Sequence, residues 1–236
     1  MITVENIEVW GFEHAIRGMR NPLNSWDKSD SYKCDWQLSD ECDACGKLDA
    51  DNTGACESDR QFYCIGKNDL DLMKRLFKAG TEHRKYLRQI FVSMDITAPL
   101  YFWKQEEQYK IGTVTNSCST MHRIAAKEFT DGDFSMEHLI EDDDNAATFI
   151  SSMHRTIADL NTARELYLNT KDKKWWWQMI QLLPSSYNQR RTLTMDYENV
   201  FTIIKQRTGH KLTEWNDFVE ILKTLPYVKE ITGYEK

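Results

Sequence analysis

Residues 96–122, ITAPLYFWKQEEQYKIGTVTNSCSTMH, join an apolar approach, a charged segment and a hydroxyl-rich loop, an order that reads as a nucleotide site. A second set of chemically capable residues is Cys34, Cys42, Cys45, Cys56 and Cys64, five thiols in a loop-rich stretch. Only Cys42-x-x-Cys45 has the tight chelate spacing of zinc ribbons and knuckles. A polar insertion with hardly any apolar core gains order from a metal more readily than from packing, so structural zinc stands against reduced, unliganded loop cysteines. The acidic run Glu141-Asp142-Asp143-Asp144 reads either as a metal site or, without interleaved ligands, as a solvated turn complementing a helix N-terminus.

Ala98, Pro99, Gln105, Ile111, Gly112, Thr113, Asn116 and Ser119 together resemble the signature of the flavin-dependent thymidylate synthases. In that family an Ala-Pro step leads to an aromatic helix carrying Gln, an Arg-His-Arg triplet, an Ile-Gly-Thr step and then Asn-x-x-Ser-x-Arg-Tyr. The match takes one residue inserted between Thr113 and Asn116. Here the triplet reads Gln108-Tyr109-Lys110 and the closing pair Met121-His122. Upstream, EHRKYLRQIFVSMDI resembles the family's Gly-His-x-x-Pro-Phe-Glu-His segment; His83 keeps the first histidine and Arg88-Gln89 replace Glu-His. Downstream, Leu183, Pro184, Arg207, His210 and Trp215 match, while Asp196 and Glu198 stand for the Asn and Arg of Asn-Ala-Arg. The likeness spans roughly two-thirds of the chain.

This resemblance implies an α+β fold with helices packed on a small, mostly antiparallel sheet. It also implies reductive methylation of deoxyuridylate or a related pyrimidine nucleotide. FAD in reduced form would supply hydride and methylenetetrahydrofolate the carbon, with NADPH as reductant. Arg207 is the implied catalytic residue, since the matching arginine lies on the pyrimidine, where a planar guanidinium donates two hydrogen bonds and stabilises charge on the ring. The alternative is a helix-surface arginine in an i,i+4 ion pair. Gln105 and Ser119 would orient the nucleotide, or else satisfy backbone groups in a buried turn. For the flavin the resemblance points to His83, Gln108, Tyr109, Lys110, Asn116 and His210. Tyr109 would stack on a ring, and Lys110 keeps one positive charge of the triplet. His83 and His122 are flavin or phosphate contacts, or structural histidines. The family uses no protein nucleophile, so Cys118 is expected to be a small buried hydrophobe. A homotetramer is implied, with missing donors coming from a neighbouring chain or from Arg190 and Arg191. A catalytically silent member that binds a nucleotide or protein partner is the alternative function. A nucleic-acid accessory protein using the Cys-rich insertion is a third reading.

The 236 residues, 41 % hydrophobic and 12 % aromatic, suffice for a single domain over 1–236 with a Cys-rich polar insertion at about 30–66. A net charge of −7 argues against a surface built for duplex nucleic acid but leaves room for a local basic pocket around a small anion. No apolar run reaches the roughly 20 residues of a membrane span, and MITVENIEVWG lacks the order of a secretory signal. A cytoplasmic protein with reduced cysteines is expected.

The elements follow from periodicity. Residues 2–10 suit a strand, EHAIRGMR a helix ended by Asn21-Pro22, and residues 25–66 a polar loop. Asn68 or Asp69 is expected to cap a helix with Leu70, Met73, Leu76 and Phe77 on one face and Gly80 as its stop. Ile90, Val92, Met94 and Ile96 alternate as a half-buried strand, which Pro99 separates from a site helix over 100–109. Phe149, Ile150, Met153, Ile157, Leu160 and Ala163 form one helical stripe. Trp175-Trp176-Trp177 open a helix that Pro184 closes, two of the three indoles being expected in the core and one facing a partner or pocket. Helices over 195–206 and 213–225 finish the chain, the second capped by Thr213.

Overall fold

In chain order the elements are β1 (Thr3–Trp10), α1 (Phe12–Arg20), β2 (Tyr32–Lys33), β3 (Tyr63–Cys64), α2 (Lys67–Ala79), β4 (Phe91–Pro99) and α3 (Leu100–Glu106). They continue with β5 (Thr113–Ser117), α4 (Thr148–Thr170), α5 (Lys173–Leu182), β6 (Asn188–Asp196), α6 (Tyr197–Arg207), α7 (Thr213–Lys223) and α8 (Val228–Thr232). This computed structural model describes residues 1–33, 63–140 and 148–233. Cys34, Cys42, Cys45 and Cys56, and the acidic run Glu141 to Asp144, lie outside the described residues.

The architecture is α+β. Four strands form one antiparallel sheet in the order β1-β4-β6-β5, and β2 pairs antiparallel with β3. Two compact units divide the chain: Met1–Glu8, Ser93–Met195 and Thr202–Ile221 make the first, and Val9–Val92, Asp196–Phe201 and Leu222–Lys236 the second.

In the first unit, Met94, Ile96 and Ala98 of β4 and Leu193 and Met195 of β6 are all buried, as period-two alternation requires. Pro99 keeps extended backbone and starts α3, whose first two amides donate to the carbonyls of Tyr187 and Ser185 at 3.0 and 3.1 Å. The buried face of α3 packs Phe102 against Trp215 at a tilt of 39°, ring centroids 4.4 Å apart, with Phe218 edge-on at 5.8 Å. A second apolar cluster joins Met153, Ile157, Leu160 and Ala163 of α4 to Met179 of α5 and to Ile124, Phe129 and Phe134.

In the second unit, α1 and α8 bury Phe12, Ile16, Val228 and Ile231. Phe12 meets Tyr197 and Tyr227 edge-on at 5.8 and 5.4 Å. Tyr86 Oη donates to the Met73 carbonyl at 2.9 Å, tying the segment before β4 to α2.

Several expectations need correction. The hydroxyl-rich run after Gly112 is a strand, β5, paired with β6 in the register Thr113 to Met195 and Ser117 to Arg191. Residues 188–196 are that partner strand, so the following helix begins at Tyr197 and not Met195. Asn68 and Asp69 do not cap α2: Asp30 does, accepting the Asn68 and Asp69 amides at 2.9 and 3.1 Å. Asp69 is instead fully buried, its carboxylate already taken by Ser29, Ser31 and Arg20. Gly80 does end α2, at φ +108°. Phe149 is 54 % exposed because it sits in the first turn of α4, ahead of the stripe that packs. Thr213 is the first residue of α7, and its hydroxyl bonds His138 Nε2 at 3.2 Å. None of the three tryptophans is buried: Trp176 packs on the α4–α5 cluster, Trp175 is half-buried and Trp177 is exposed.

Candidate functional site

Side chains of α3, of the segment that follows it and of α7, all in the first unit, meet at Arg207, the last residue of α6. Its Nη1 donates to Gln105 Oε1 on α3 at 3.0 Å, and its Nε donates to Tyr109 Oη at 2.9 Å. Trp215 Nε1 donates to the same Gln105 oxygen at 3.0 Å. The guanidinium carbon lies 4.5 Å from the Trp215 ring centre and 5.6 Å from that of Tyr109, within cation–π range of both. Tyr109 Oη in turn donates to Gln206 Oε1 at 2.9 Å.

Arg207 makes no ion pair among the described residues, and no carboxylate stands four residues either side of it. The helix-surface ion pair is therefore absent. Its Nη2 has no hydrogen-bond partner among the described residues. A half-buried cation held by neutral acceptors, with one edge unfilled, is arranged to take an anion or a carbonyl oxygen.

His210 extends the cluster. Burial, then the nearby Arg207 and Lys211 charges, lowers its pKa, which favours the neutral ring. Nδ1 accepts the Leu212 amide at 3.1 Å. Nε2 lies 3.2 Å from Arg207 Nη1. A neutral ring has one acceptor nitrogen, so its tautomer decides which of these two contacts is a hydrogen bond.

The other residues named from sequence are placed differently. Ser119 follows β5, and its Oγ accepts the amides of Met121 and His122 at 3.3 and 3.0 Å in a local turn; it bonds neither Arg207 nor Gln105. Asn116 is exposed on β5 opposite Thr192. Gln108 and Lys110 are exposed beyond α3. His83 is exposed in the turn after α2, in the second unit. Cys118 is exposed, not buried, because it stands at the end of β5, its carbonyl taken by Gln189 Nε2 at 2.6 Å. Arg190 and Arg191 are not spare donors: Arg190 pairs with Glu5 and Asp95, each at 2.9 Å. Arg191 pairs with Glu107 at 2.8 Å and lies 4.5 Å over the Trp103 ring. Cys64 is buried in β3, and no group of three metal-ligating side chains occurs among the described residues.

Trp215 and Gln206 belong to this site and were not singled out as ligands. Trp215 had a signal, its match to the family pattern; Gln206 had none.

Two solved structures superpose on nearly the whole chain. One is thymidylate synthase X (ThyX) from Helicobacter pylori with FAD and dUMP, at TM-score 0.61 and 14 % identity, covering 98 % of this chain and 96 % of that one. The fold is that of the flavin-dependent thymidylate synthases. The other, also ThyX from Helicobacter pylori complexed with FAD and dUMP, gives TM-score 0.59 and 15 % identity over 96 % and 95 % of the two chains. No family model and no curated protein sequence matches the chain. No described helix is long and apolar enough to cross a membrane.

The departures from the family pattern have local structural roles. Glu198 accepts from Arg84 Nη2 at 2.7 Å, and Asp196 caps α6 by accepting the Asn199 amide at 2.9 Å. Both are in the second unit.

Proposed function

We propose that the chain is a divergent flavin-dependent enzyme that binds deoxyuridylate or a related pyrimidine nucleotide at Arg207 and methylates it reductively. One observation carries this reading: the half-buried Arg207 guanidinium has neutral partners, no carboxylate, and an unfilled Nη2. A pyrimidine carbonyl or nucleotide phosphate is the acceptor such a group lacks. Gln105 and Tyr109 set the plane of the guanidinium.

Gln108, Lys110 and Asn116 are exposed donors, Lys110 the one cation of its triplet. That set fits a flavin through hydrogen bonds more than through charge. FAD, when bound, would supply the hydride, with NADPH and methylenetetrahydrofolate as co-substrates. Tyr109 would flank the ring system, and Lys110 would face a phosphate. His83 and Ser119 complete the set expected from the resemblance. Ile111 is 87 % and Val114 65 % exposed, apolar surface that a homotetramer would cover. A tetrameric solution mass supports this, and a monomer would count against it.

The second reading is a silent binding module. It is favoured by Tyr109, whose hydroxyl occupies Arg207 Nε where the family's triplet would offer charge. The visible spectrum of purified protein separates the two. A yellow protein with a flavin band, or one that takes up FAD on addition, supports the enzyme. A colourless protein that binds deoxyuridylate but no flavin supports the module. Metal analysis after chelator washing tests zinc at Cys34, Cys42, Cys45, Cys56 and Cys64.

A further inference from the structure

The second unit contains a cavity of about 720 Å3 lined by Arg20, Lys28, Asn68, Asp71, Lys74 and Arg75. Four cations and one carboxylate line it, Arg20 being paired besides with Asp69, in a chain whose net charge is −7. Lys28, Lys74 and Arg75 make no ion pair among the described residues. Like charges gathered together repel one another, and an anion that joined Lys28, Lys74 and Arg75 would relieve that repulsion.

Arg20 is the fixed member. It is only 4 % exposed, its Nε donating to Asp69 Oδ1 at 2.5 Å and its Nη1 to the carbonyl and hydroxyl of Ser25 at 3.1 and 3.3 Å. Asp69 is itself immobilised by the Ser29 and Ser31 hydroxyls at 2.7 and 2.6 Å and the Asp30 and Ser31 amides, each at 3.1 Å. Two of the three guanidinium nitrogens, Nε and Nη1, are thus set by folding, while Nη2, on a residue that lines the cavity, has no partner among the described residues. A donor already locked in place loses little entropy on binding. The α2 amides do not contribute, because Asp30 already caps them.

We propose that this cavity binds a phosphate-bearing small molecule, with Arg20 Nη2 as the oriented donor and Lys28, Lys74 and Arg75 as surrounding cations. A phosphate group carries roughly two negative charges at neutral pH and several acceptor oxygens, which suits several cations better than a carboxylate would. The volume falls within the roughly 300–1,000 Å3 of small-ligand pockets, which favours a small molecule over a polymer. The inference does not depend on the Arg207 reading.

Pyrophosphate titrated into the full chain by calorimetry, at low and at physiological salt, tests it. Saturable one-to-one binding is expected, weakened at least about tenfold in a Lys74→Glu, Arg75→Glu double variant, since losing one charge-assisted contact is worth about that much. Both positions lie outside the buried core, and an unchanged unfolding midpoint would certify the variant's fold. Arg207→Ala should bind pyrophosphate as the native chain does. Absence of saturable binding, equal binding by the double variant, or loss of binding in Arg207→Ala would each overturn the proposal.

Discussion

Arg207 is held against Gln105 by a 3.0 Å hydrogen bond from Nη1 to Oε1, so a neutral amide and not a carboxylate orients the one half-buried cation of the cluster. A Gln105→Glu substitution would neutralise Arg207 and repel an anionic ligand. Its affinity for deoxyuridylate should fall by about tenfold or more with the fold intact, measured by calorimetry. Gln105→Leu would also strand the fully buried Trp215 indole N–H, at about 1–3 kcal/mol of unfolding free energy.

Glu106, next along α3, is 1 % exposed, and its Oε1 has no hydrogen-bond partner. Burial pushes its pKa up to about 7, with Arg191 opposing the rise and Glu107 adding to it. A carboxyl that binds its proton more tightly when folded stabilises the acid side. Stability should fall as pH rises from about 4.5 to about 7, by about 3 kcal/mol from this group. Urea unfolding of the native chain and of Glu106→Gln at pH 5 and pH 8 checks this. The variant should lack that loss, and parallel pH profiles would refute the assignment.

In the second unit, Asp69 is fully buried against Arg20. Burial alone would raise its pKa, but hydrogen bonds from Ser31, Ser29 and Arg20 outweigh this and hold the carboxyl below its usual range. Asp69→Ala would leave the Arg20 charge buried and uncompensated, at a cost of about 3–5 kcal/mol. Denaturant unfolding should register it, whereas an effect under 1 kcal/mol would mean that the pair behaves as a surface ion pair.

Gly11 and Gly80 both have positive φ but should respond differently to alanine. A Cβ at Gly11 would lie 2.1 Å from the Gln89 carbonyl oxygen, while at Gly80 it would meet nothing within 4 Å. Gly80→Ala should cost only the backbone strain, about 1 kcal/mol, and Gly11→Ala at least about 2 kcal/mol more. Equal losses of thermal stability in the two variants would contradict this.

Sequence periodicity was enough for β4, because Val92, Met94, Ile96 and Ala98 alternate with half-buried neighbours without interruption. It was not enough for β6, where the inward positions before Leu193 are the half-buried Arg191 and the buried Gln189, both polar. Nor was it enough for β5, an edge strand with a single large apolar residue, Val114, turned outward. Asp69 had the sequence of a helix cap, but its position beside Arg20 depends on a fold between residues 49 apart. The site was legible only through resemblance: Gln105 and Arg207 are 102 positions apart, and no local pattern joins them. Ser119 matched by spacing, yet its hydroxyl closes its own turn, a competition that spacing cannot reveal.

The central claim is that Arg207 receives a pyrimidine nucleotide. Calorimetric titration of the native chain and of Arg207→Ala with deoxyuridylate tests it most directly. Binding by the native chain, weakened about 30-fold or more in the variant, is expected from the loss of a charge-assisted contact worth about 2–3 kcal/mol. A native chain that takes up no deoxyuridylate, or a variant that binds it equally well, would contradict the account.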